Sequence, residues 1–328
     1  MNNEELKILQ CLPLDLKVAK SKLRIRDAIN KFGHEGLYLS FSGGKDSTVL
    51  HHLVKEVEMD LYGEIRIPRV FCNTGLEYPE LVNHVKNIFN SLGDLGVIIR
   101  PSITFNEVLT RYGYPVVSKE QSQYIGQYRN ARSEKTKILR LEGNKWGRGK
   151  ISKKWRYLLD SDFKISDQCC NVMKKKPFKQ YEKITGKVPI LGIMAGESEL
   201  RKSHYLKNGG CNAFEGKRPQ SKPIGFWTEQ DILKYILDNN IIIPSVYGSI
   251  KKIDDKYITT GATRTGCVFC MFGIHLEKDK NRFELLKETH PKLYDYCLRG
   301  GKYDNDGNWI PYQGLGMKHI LDTLKARY

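Results

Sequence analysis

Residues 38–54 read YLSFSGGKDSTVLHHLV, and this stretch decides the fold. Residues 37–41 form a short apolar run that predicts a strand. The apolar residues that follow recur at helical spacing and predict a helix: Val49, Leu50, Leu53, Val54 and Val57. A helix N-terminus presents unpaired N–H groups to anions, and glycine lets a ligand approach the backbone closely. The turn that contains Gly43, Gly44 and Lys45 is therefore predicted to bind phosphate.

The composition favours an anionic partner. The 328 residues include 54 Lys and Arg against 37 Asp and Glu, which gives a formal net charge of +17. This charge favours a nucleotide or a nucleic acid, although a lysine-rich solvated surface has the same composition. The sequence contains no apolar run long enough to span a bilayer or to form a signal peptide. We therefore expect a cytoplasmic protein without a membrane partner.

Further apolar runs predict the strands that accompany the first one. They occupy residues 69–72, 96–100 and 188–194, and Pro79 opens a helix between the first two. Strands and helices that alternate through short turns predict an α/β fold with a doubly wound parallel sheet. Ligands bind at the carboxyl ends of such strands, where residues 42–47 and 73–77 are both expected to lie.

Shifts in composition divide the chain into three expected parts. These are a helical N-terminal segment at 1–35, a nucleotide-binding domain at 36–240, and a smaller cysteine-containing C-terminal subdomain at 241–328. A basic segment at 119–156 contains twelve Lys or Arg against three Glu, interleaved with Tyr124, Tyr128, Trp146 and Trp155. Cations and rings suit a nucleic acid substrate, DNA or tRNA, and a solvated or partly disordered lobe is the alternative.

The phosphate turn is not a Walker A loop, because Gly44-Lys45 is followed by Asp46. SFSGGKDSTVL resembles the PP-loop of the ATP pyrophosphatase superfamily, in which S-G-G-x-D-S holds the pyrophosphate of ATP. The resemblance implies that Lys45 neutralises the phosphate charge and that Asp46 orients the loop or a magnesium ion. It also implies contacts to the pyrophosphate oxygens from Ser42, Gly43, Gly44 and Ser47. We expect the side chain of Lys45 to lie in an exposed turn.

Two further motifs narrow the resemblance to the phosphoadenylylsulfate (PAPS) reductase-like branch, with its adenine nucleotide alpha hydrolase-like fold. FCNTGLEYPE resembles the second motif of that branch, which implies nucleotide contacts from Asn73, Thr74, Gly75 and Glu77. GIMAGESELR resembles its later motif, which places Glu197, Ser198 and Arg201 towards the nucleotide or substrate. Lys45, Asp46 and Arg201 are the predicted catalytic residues. Without the resemblance, the alternative interpretation is that Asn73, Thr74 and Gly75 form an ordinary turn and that Arg201 is a solvated charge on a helix.

Cysteines form the remaining pattern. Cys169-Cys170 and Cys267-x-x-Cys270 provide four thiols that suit zinc or an iron–sulfur cluster, and their spacing does not separate the two. The pattern resembles the [4Fe-4S] site of adenylylsulfate (APS) reductases, which favours the cluster over zinc or unligated thiols. Cys211 and Cys297 are alternative ligands or sulfur carriers. Cys72 is expected in a buried strand, and Cys11 as an incidental thiol.

The motifs support two main functional hypotheses. In the first, ATP adenylylates an acceptor, pyrophosphate leaves into the PP-loop, and a sulfur donor displaces AMP. In the second, the protein reduces APS or PAPS to sulfite with a thiol reductant. The sequence departs from those reductases because it lacks their C-terminal E-C-G-[LI]-H motif and has a complete ATP-type loop.

Two other functions are weaker hypotheses. Sulfate adenylylation leaves the four cysteines without a role, and a non-enzymatic nucleic acid binder leaves the PP-loop without one. The sequence does not specify the oligomeric state.

Overall fold

The computed structural model describes residues 1–216, 218–277 and 280–328. The chain forms two compact units, each assembled from separate segments. The sheet unit comprises Met1–Asn73, Glu77–Arg100 and Phe178–Thr265. The cysteine unit comprises Thr74–Leu76, Pro101–Pro177 and Gly266–Tyr328. The predicted domain limits at 35/36 and 240/241 remain a prediction.

The elements are numbered in chain order. The α-helices of the described residues are α1 (Asn3–Cys11), α2 (Leu14–Phe32), α3 (Lys45–Tyr62), α4 (Pro79–Leu92), α5 (Phe105–Tyr112), α6 (Lys119–Arg129), α7 (Glu134–Glu142), α8 (Lys176–Thr185), α9 (Glu199–Lys207), α10 (Glu229–Asp238), α11 (Arg282–Thr289), α12 (Pro291–Leu298) and α13 (Met317–Leu324). Within these ranges, no helix is both long enough and apolar enough to cross a membrane.

The strands form one large sheet and two hairpins. The large sheet contains β1 (Leu37–Ser40), β2 (Arg69–Cys72), β3 (Gly96–Ile99), β4 (Val188–Leu191), β5 (Asn212–Ala213) and β6 (Gln220–Ser221). The hairpins pair β7 (Ile250–Ile253) with β8 (Lys256–Thr259) and β9 (Lys302–Tyr303) with β10 (Trp309–Ile310).

The large sheet has the strand order β3-β2-β1-β4-β6-β5. All neighbours are parallel except β5, which is antiparallel to β6. In the central register, Leu39 of β1 lies opposite Arg69 on one side and Ile190 on the other. The predicted α/β class with a doubly wound parallel sheet is confirmed.

The order of the strands reverses between β1 and β4. The chain adds β2 and β3 on one side of β1, whereas β4, β6 and β5 lie on the other side. Such a reversal opens a crevice at the carboxyl ends of the two central strands, where ligands of α/β proteins bind. The predicted phosphate turn follows β1 and therefore begins at this crevice.

Helices α2 and α3 contribute to the hydrophobic core around β1. Ile25 and Ile29 of α2 are buried together with Val49, Leu53 and Val57 of α3. Their spacing of four residues puts them on one face of each helix. Each fully buried aliphatic side chain contributes roughly 1.5–3 kcal/mol, so this packing holds the start of α3 against the sheet.

The cysteine unit joins residues 101–177 to residues 266–328. Tyr114 is fully buried, and its hydroxyl donates to the carbonyl of Leu315 at 2.8 Å. The N–H of Trp309 donates to the carbonyl of Asp162 at 2.6 Å. The basic segment lies within this unit, where it forms α6, α7 and a 3₁₀ turn that starts at Lys153.

A buried ion pair links α3 to β2. The guanidinium of Arg69 donates to both carboxylate oxygens of Glu58, at 2.6 and 3.1 Å, and both side chains are fully buried. Glu58 also accepts the N–H groups of Arg66 and Ile67 at 2.9 and 2.6 Å. Arg69 Nε donates to His51 Nδ1 at 3.1 Å. Burial and the charge of Arg69 lower the pKa of His51 to about 3, which keeps the ring neutral and able to accept.

We expect Glu58→Ala to lower the free energy of unfolding by about 3–5 kcal/mol, because Arg69 would remain buried without its carboxylate. Urea denaturation measures the change. Asp238→Ala is the control, since it removes the carboxylate of an exposed pair with Lys234 and should change stability little. Equal losses in the two variants would contradict a structural role for the buried pair.

Candidate active site

The phosphate turn, residues 42–47, adopts a conformation that only glycine tolerates easily at one position. Gly43 has a φ of +74°. A Cβ atom there would lie 2.5 Å from Val85 Cγ2 and 3.0 Å from Leu81 Cδ2, both on α4. Gly44 follows as the N-cap of α3, with extended backbone. The turn therefore packs closely on α4 and directs the first N–H groups of α3 towards the crevice.

Two serine hydroxyls brace the turn from within. Ser47 Oγ donates to the carbonyl of Gly44 at 2.9 Å. It accepts the N–H of Ser42 at 3.2 Å and lies 3.0 Å from Ser42 Oγ. Gly44 N–H makes a longer contact of 3.4 Å to Ser42 Oγ. These bonds preorganise the turn, so a ligand would meet a conformation that already exists.

Lys45 is buried, and the expectation of an exposed side chain was wrong. The residue is 4% exposed. Its Nζ donates to the carbonyl of Thr263 at 3.1 Å and lies 3.3 Å from Glu229 Oε1 and 3.8 Å from Asp46 Oδ1. Burial alone lowers the pKa of Lys45, but the charges of Asp46, Tyr247 and Glu229 raise it above its usual value. The ammonium group is therefore a fixed positive charge at the start of α3.

Asp46 carries an oxygen atom without a hydrogen bond. Among the described residues, Oδ1 is buried and has no hydrogen-bond partner, although the ammonium of Lys45 lies 3.8 Å away. Burial raises the pKa of Asp46, and the charges of Glu197 and Glu229 raise it further. The positive charge of Lys45 lowers this pKa but does not cancel the increase. A carboxylate oxygen is the ligand type that magnesium takes, so the chemistry of Asp46 suits this ion, and its binding remains a prediction.

Sequence reasoning missed several residues that surround the start of α3. Tyr247 OH accepts the backbone N–H of Lys45 at 3.1 Å and lies 2.7 Å from Thr265 Oγ1. Its ring lies under the ammonium of Lys45, 5.6 Å from the ring centre. Thr263 and Glu229 contact the same ammonium group. These positions are about 200 residues from the turn in sequence, and none of them was among the predicted site residues.

The motif at Glu197, Ser198 and Arg201 forms a local network. Glu197 Oε1 accepts the N–H of Met194 at 2.9 Å, and Glu197 Oε2 pairs with the guanidinium of Arg201. Ser198 Oγ accepts the N–H of Arg201 at 3.3 Å and caps α9. The side chain of Arg201 is 44% exposed. The structure brings Glu197 within electrostatic range of Asp46, whereas Ser198 acts here as a helix cap.

The Asn-Thr-Gly segment follows β2 and falls partly in each unit. Asn73 extends the pairing with β3, because its N–H donates to the carbonyl of Ile99 at 2.9 Å. Thr74 Oγ1 accepts the N–H of Leu76 at 3.2 Å, and Gly75 has a φ of +74°. Asn73 and Glu77 belong to the sheet unit, and Thr74 and Gly75 belong to the cysteine unit. Their roles as nucleotide contacts remain a prediction.

The four predicted metal ligands lie in the cysteine unit and influence one another. Cys169 Sγ lies 3.9 Å from Cys170 Sγ. The hydrogen bond between these two thiols raises the pKa of Cys169. Burial and the charges of Cys170, Cys270 and Cys267 raise this pKa further. The N–H of Cys270 donates to the carbonyl of Cys267 at 3.1 Å, which closes the C-x-x-C turn.

Cations surround these thiols. The hydrogen bond from Cys169 lowers the pKa of Cys170, and Lys119 and Lys174 lower it further against the effect of burial. In type and number the four thiols suit zinc or an iron–sulfur cluster. Within residues 1–216, 218–277 and 280–328, however, no group of three or more His, Cys, Asp or Glu side chains is arranged to hold a metal ion. Ligation by the four thiols remains a prediction.

The remaining four cysteines are Cys11, Cys72, Cys211 and Cys297. Cys297 is fully buried, with Sγ 3.3 Å from Met317 Sδ. Cys211 is buried in the sheet unit, and its Sγ lies 3.2 Å from Tyr205 OH. Cys72 is buried in β2, as predicted for a strand residue, and Cys11 is exposed.

Most of the chain matches the model of one protein family. The family model described as phosphoadenosine phosphosulfate reductase domain matches residues 36–145 and 142–271. A comparison with curated proteins gives no match.

Solved structures of two kinds of protein are similar to this chain. The phosphoadenylyl-sulfate (PAPS) reductase from Candida auris, a phosphate complex, is 14% identical with a TM-score of 0.39, over 76% of this chain and 95% of that one. The FMN adenylyltransferase from Candida glabrata is 15% identical with a TM-score of 0.45, over 98% and 86%. Its complex with FAD and inorganic pyrophosphate is 12% identical with a TM-score of 0.41, over 74% and 65%. These values are too low to assign a function.

We expect Gly43→Ala to destabilise the sheet unit more than Gly63→Ala does. Both glycines have a positive φ, +74° and +71°, but a Cβ at Gly63 meets no atom within 4 Å. Backbone strain costs each variant about 1 kcal/mol, and the clash with Val85 adds roughly 1–3 kcal/mol for Gly43→Ala. Urea unfolding of both variants measures the difference, and equal losses would refute the close packing of the turn on α4.

Proposed function

The chain belongs to the phosphoadenosine phosphosulfate reductase family, and on that premise we propose that it uses ATP to activate an acceptor for sulfur transfer. ATP is cleaved between its α and β phosphates, and the acceptor is adenylylated. A sulfur donor then displaces AMP. The observation that carries this proposal is the preorganised turn at residues 42–47, which combines the N-terminus of α3 with the buried cation of Lys45.

The geometry of the turn suits pyrophosphate as a leaving group. An acceptor oxygen attacks the α-phosphorus, the bond from this phosphorus to the bridging oxygen breaks, and negative charge develops on pyrophosphate. The ammonium of Lys45 and the dipole of α3 would stabilise that charge. An anion that enters the turn competes with Tyr247 OH for the N–H of Lys45, 3.1 Å away in this structure.

A magnesium ion and a cluster are part of the proposal. Asp46 would hold magnesium together with the phosphates, since its Oδ1 is buried without a hydrogen bond in the described chain. Magnesium, when bound, neutralises phosphate charge. Cys169, Cys170, Cys267 and Cys270 would hold a [4Fe-4S] cluster, with zinc as the alternative. When bound, a cluster supplies electron-transfer or sulfur chemistry, whereas zinc is redox-inert.

Sulfonucleotide reduction is the second candidate function. It requires an accessible cysteine that attacks the sulfur of APS or PAPS. The cysteine nearest the C-terminus, Cys297, is fully buried against Met317, and burial raises its pKa. A buried thiol with a raised pKa is a poor nucleophile, which favours the activation hypothesis.

An anaerobic assay separates the two candidates. The purified protein is incubated with ATP and magnesium, and with single-stranded DNA, tRNA or sulfate in turn, while AMP and pyrophosphate are measured. Acceptor-dependent AMP from a nucleic acid supports the proposal, and AMP with sulfate alone would indicate sulfate adenylylation. Sulfite released from APS or PAPS with a thiol reductant, without ATP turnover, would overturn it in favour of reduction.

A cytoplasmic location is part of the same proposal.

We expect Lys45→Met to reduce the rate of AMP formation about 100-fold or more, because the developing charge on pyrophosphate loses its fixed cation. Lys45 is buried, so circular dichroism and thermal unfolding first establish that the variant is folded at the assay temperature. Lys55→Met is the control, since Lys55 is an exposed cation on the same helix. A folded Lys45→Met variant as fast as the parent would refute the role of the turn.

We also predict that anaerobically purified protein contains iron and acid-labile sulfide. Cys267→Ser and Cys270→Ser should lose both and unfold at lower temperature, because a group bound only by the folded state stabilises that state. Cys11→Ser, at an exposed thiol, should retain both. Stoichiometric zinc without iron in the parent protein would contradict the cluster.

A further inference from the structure

A large open cavity of mixed polar and apolar lining lies within the cysteine unit, outside the proposed ATP site. Its volume is about 980 Å³, and its walls come from the end of α5, from α6 and α7, and from residues 164–168. Pockets that enclose small ligands span roughly 300–1,000 Å³, so this cavity can accept a nucleotide. Gly126 allows one wall to form, because a Cβ there would lie 2.8 Å from the carbonyl oxygen of Ile165.

One wall presents a row of amides. Gln123 and Gln127 of α6 and its C-cap Asn130 line the cavity, and their spacing of four and then three residues places them on one helix face. Gln168 lines it from the segment that leads to the cysteine pair. Part of the hydrogen-bonding capacity of these amides is used within the protein, since Gln127 Oε1 accepts from Arg140 Nε at 2.8 Å and Asn130 Nδ2 donates to the carbonyl of Gly126 at 2.8 Å. A side-chain amide has two donor hydrogens and two acceptor lone pairs, and the remaining groups match the mixed donor and acceptor edges of nucleobases.

The cavity is also cationic. Arg111, Arg129, Arg140 and Lys164 line it, against the single carboxylate of Asp167. Two of these cations are held by the protein, since Arg129 donates to the carbonyl of Phe163 at 2.6 Å and Arg140 donates to the carbonyl of Gly149 at 2.6 Å. Arg111 is 58% exposed and makes a 3.3 Å ion pair with Glu107 on its own helix. Lys164 lies within electrostatic range of the carboxylate of Asp304. Arg111 and Lys164 thus interact with carboxylates, for which a phosphate can substitute.

One residue of the cavity wall precedes the cysteine pair in the chain. Gln168 immediately precedes Cys169, and its Oε1 accepts a hydrogen bond from Asn171 Nδ2 at 3.1 Å. Asn171 begins a turn of π-helix that extends to Lys175, a rare conformation that often occurs at functional sites. A ligand that contacts Gln168 therefore contacts the residue that immediately precedes Cys169 in the sequence.

We propose that this cavity binds a nucleotide unit of a single-stranded nucleic acid, with the amides on the base edge and with Arg111 and Lys164 on the flanking phosphates. A single strand is favoured because a base must be unstacked to enter a cavity of this kind, and unstacked bases are available in single-stranded segments. The role of this nucleic acid as the acceptor rests on the proposed function, whereas its binding does not.

Fluorescence anisotropy tests the assignment with a labelled 12-nucleotide single strand, as DNA and as RNA, without ATP. Arg111→Ala/Lys164→Ala should weaken binding tenfold or more. It should also reduce the slope of log affinity against log salt by about 1.4, since each single-strand phosphate contact contributes about 0.7. The matched control, Arg132→Ala/Lys135→Ala, removes two exposed cations of the same unit outside the cavity and should weaken binding less than threefold.

Gln123→Leu separates base contacts from charge. It should weaken binding threefold to tenfold and leave the salt slope unchanged, because it removes no charge. In the RNA arm, a 4-thiouridine substituted into the strand should crosslink to peptides from α6 or residues 164–168. Crosslinks found only elsewhere, or equal losses in the two double variants, would overturn the proposal.

Two further outcomes would also overturn it. The first is the absence of binding to either strand, and the second is displacement of the labelled strand by free mononucleotides as efficiently as by the unlabelled strand. Failure to form AMP would reject the proposed function and leave this assignment intact. If the Arg111→Ala/Lys164→Ala variant and its control bind the labelled strand equally well, this assignment is rejected and the proposed ATP cleavage is unaffected.

Discussion

The buried ammonium group of Lys45 is the interaction on which the candidate active site depends. A charge removed from water requires partners, and Lys45 finds Asp46, Glu229 and the carbonyl of Thr263. These partners come from α3, from the first residue of α10, and from the chain that precedes Thr265. The requirement to satisfy one cation thus brings distant segments of the sheet unit around the turn that follows β1.

The same turn combines rigidity with capacity for an anion. Gly43 packs against α4 without room for a Cβ, and Ser42 and Ser47 bond to each other. The backbone N–H of Lys45 is satisfied by Tyr247, whose hydroxyl lies where an acceptor atom of a ligand would have to lie. The turn is therefore preorganised, and in the proposed function a phosphate would replace one oxygen acceptor with another of greater charge.

Much of the fold and part of the site could be predicted from local sequence. The run before Ser42 and the helical spacing after it located β1 and α3, and the resemblance of SFSGGKDSTVL indicated the family that the family model confirms. The exposure of Lys45 was predicted wrongly, because burial depends on residues far along the chain. The basic segment was predicted either to contact nucleic acid or to form a solvated lobe, and sequence alone did not show that Arg129 and Arg140 are held by internal carbonyls.

The sequence by itself determined the α/β class, the order of the central elements and the position of the phosphate turn, because each rests on residues close together in the chain. Only the tertiary structure decided which groups surround that turn, since Tyr247 and Thr263 meet Lys45 across 202 and 218 positions. It also decided that residues 101–177 pack with residues 266–328 in one unit. Contacts over such separations arise from burial and hydrogen-bond satisfaction in the folded chain, and no local pattern records them.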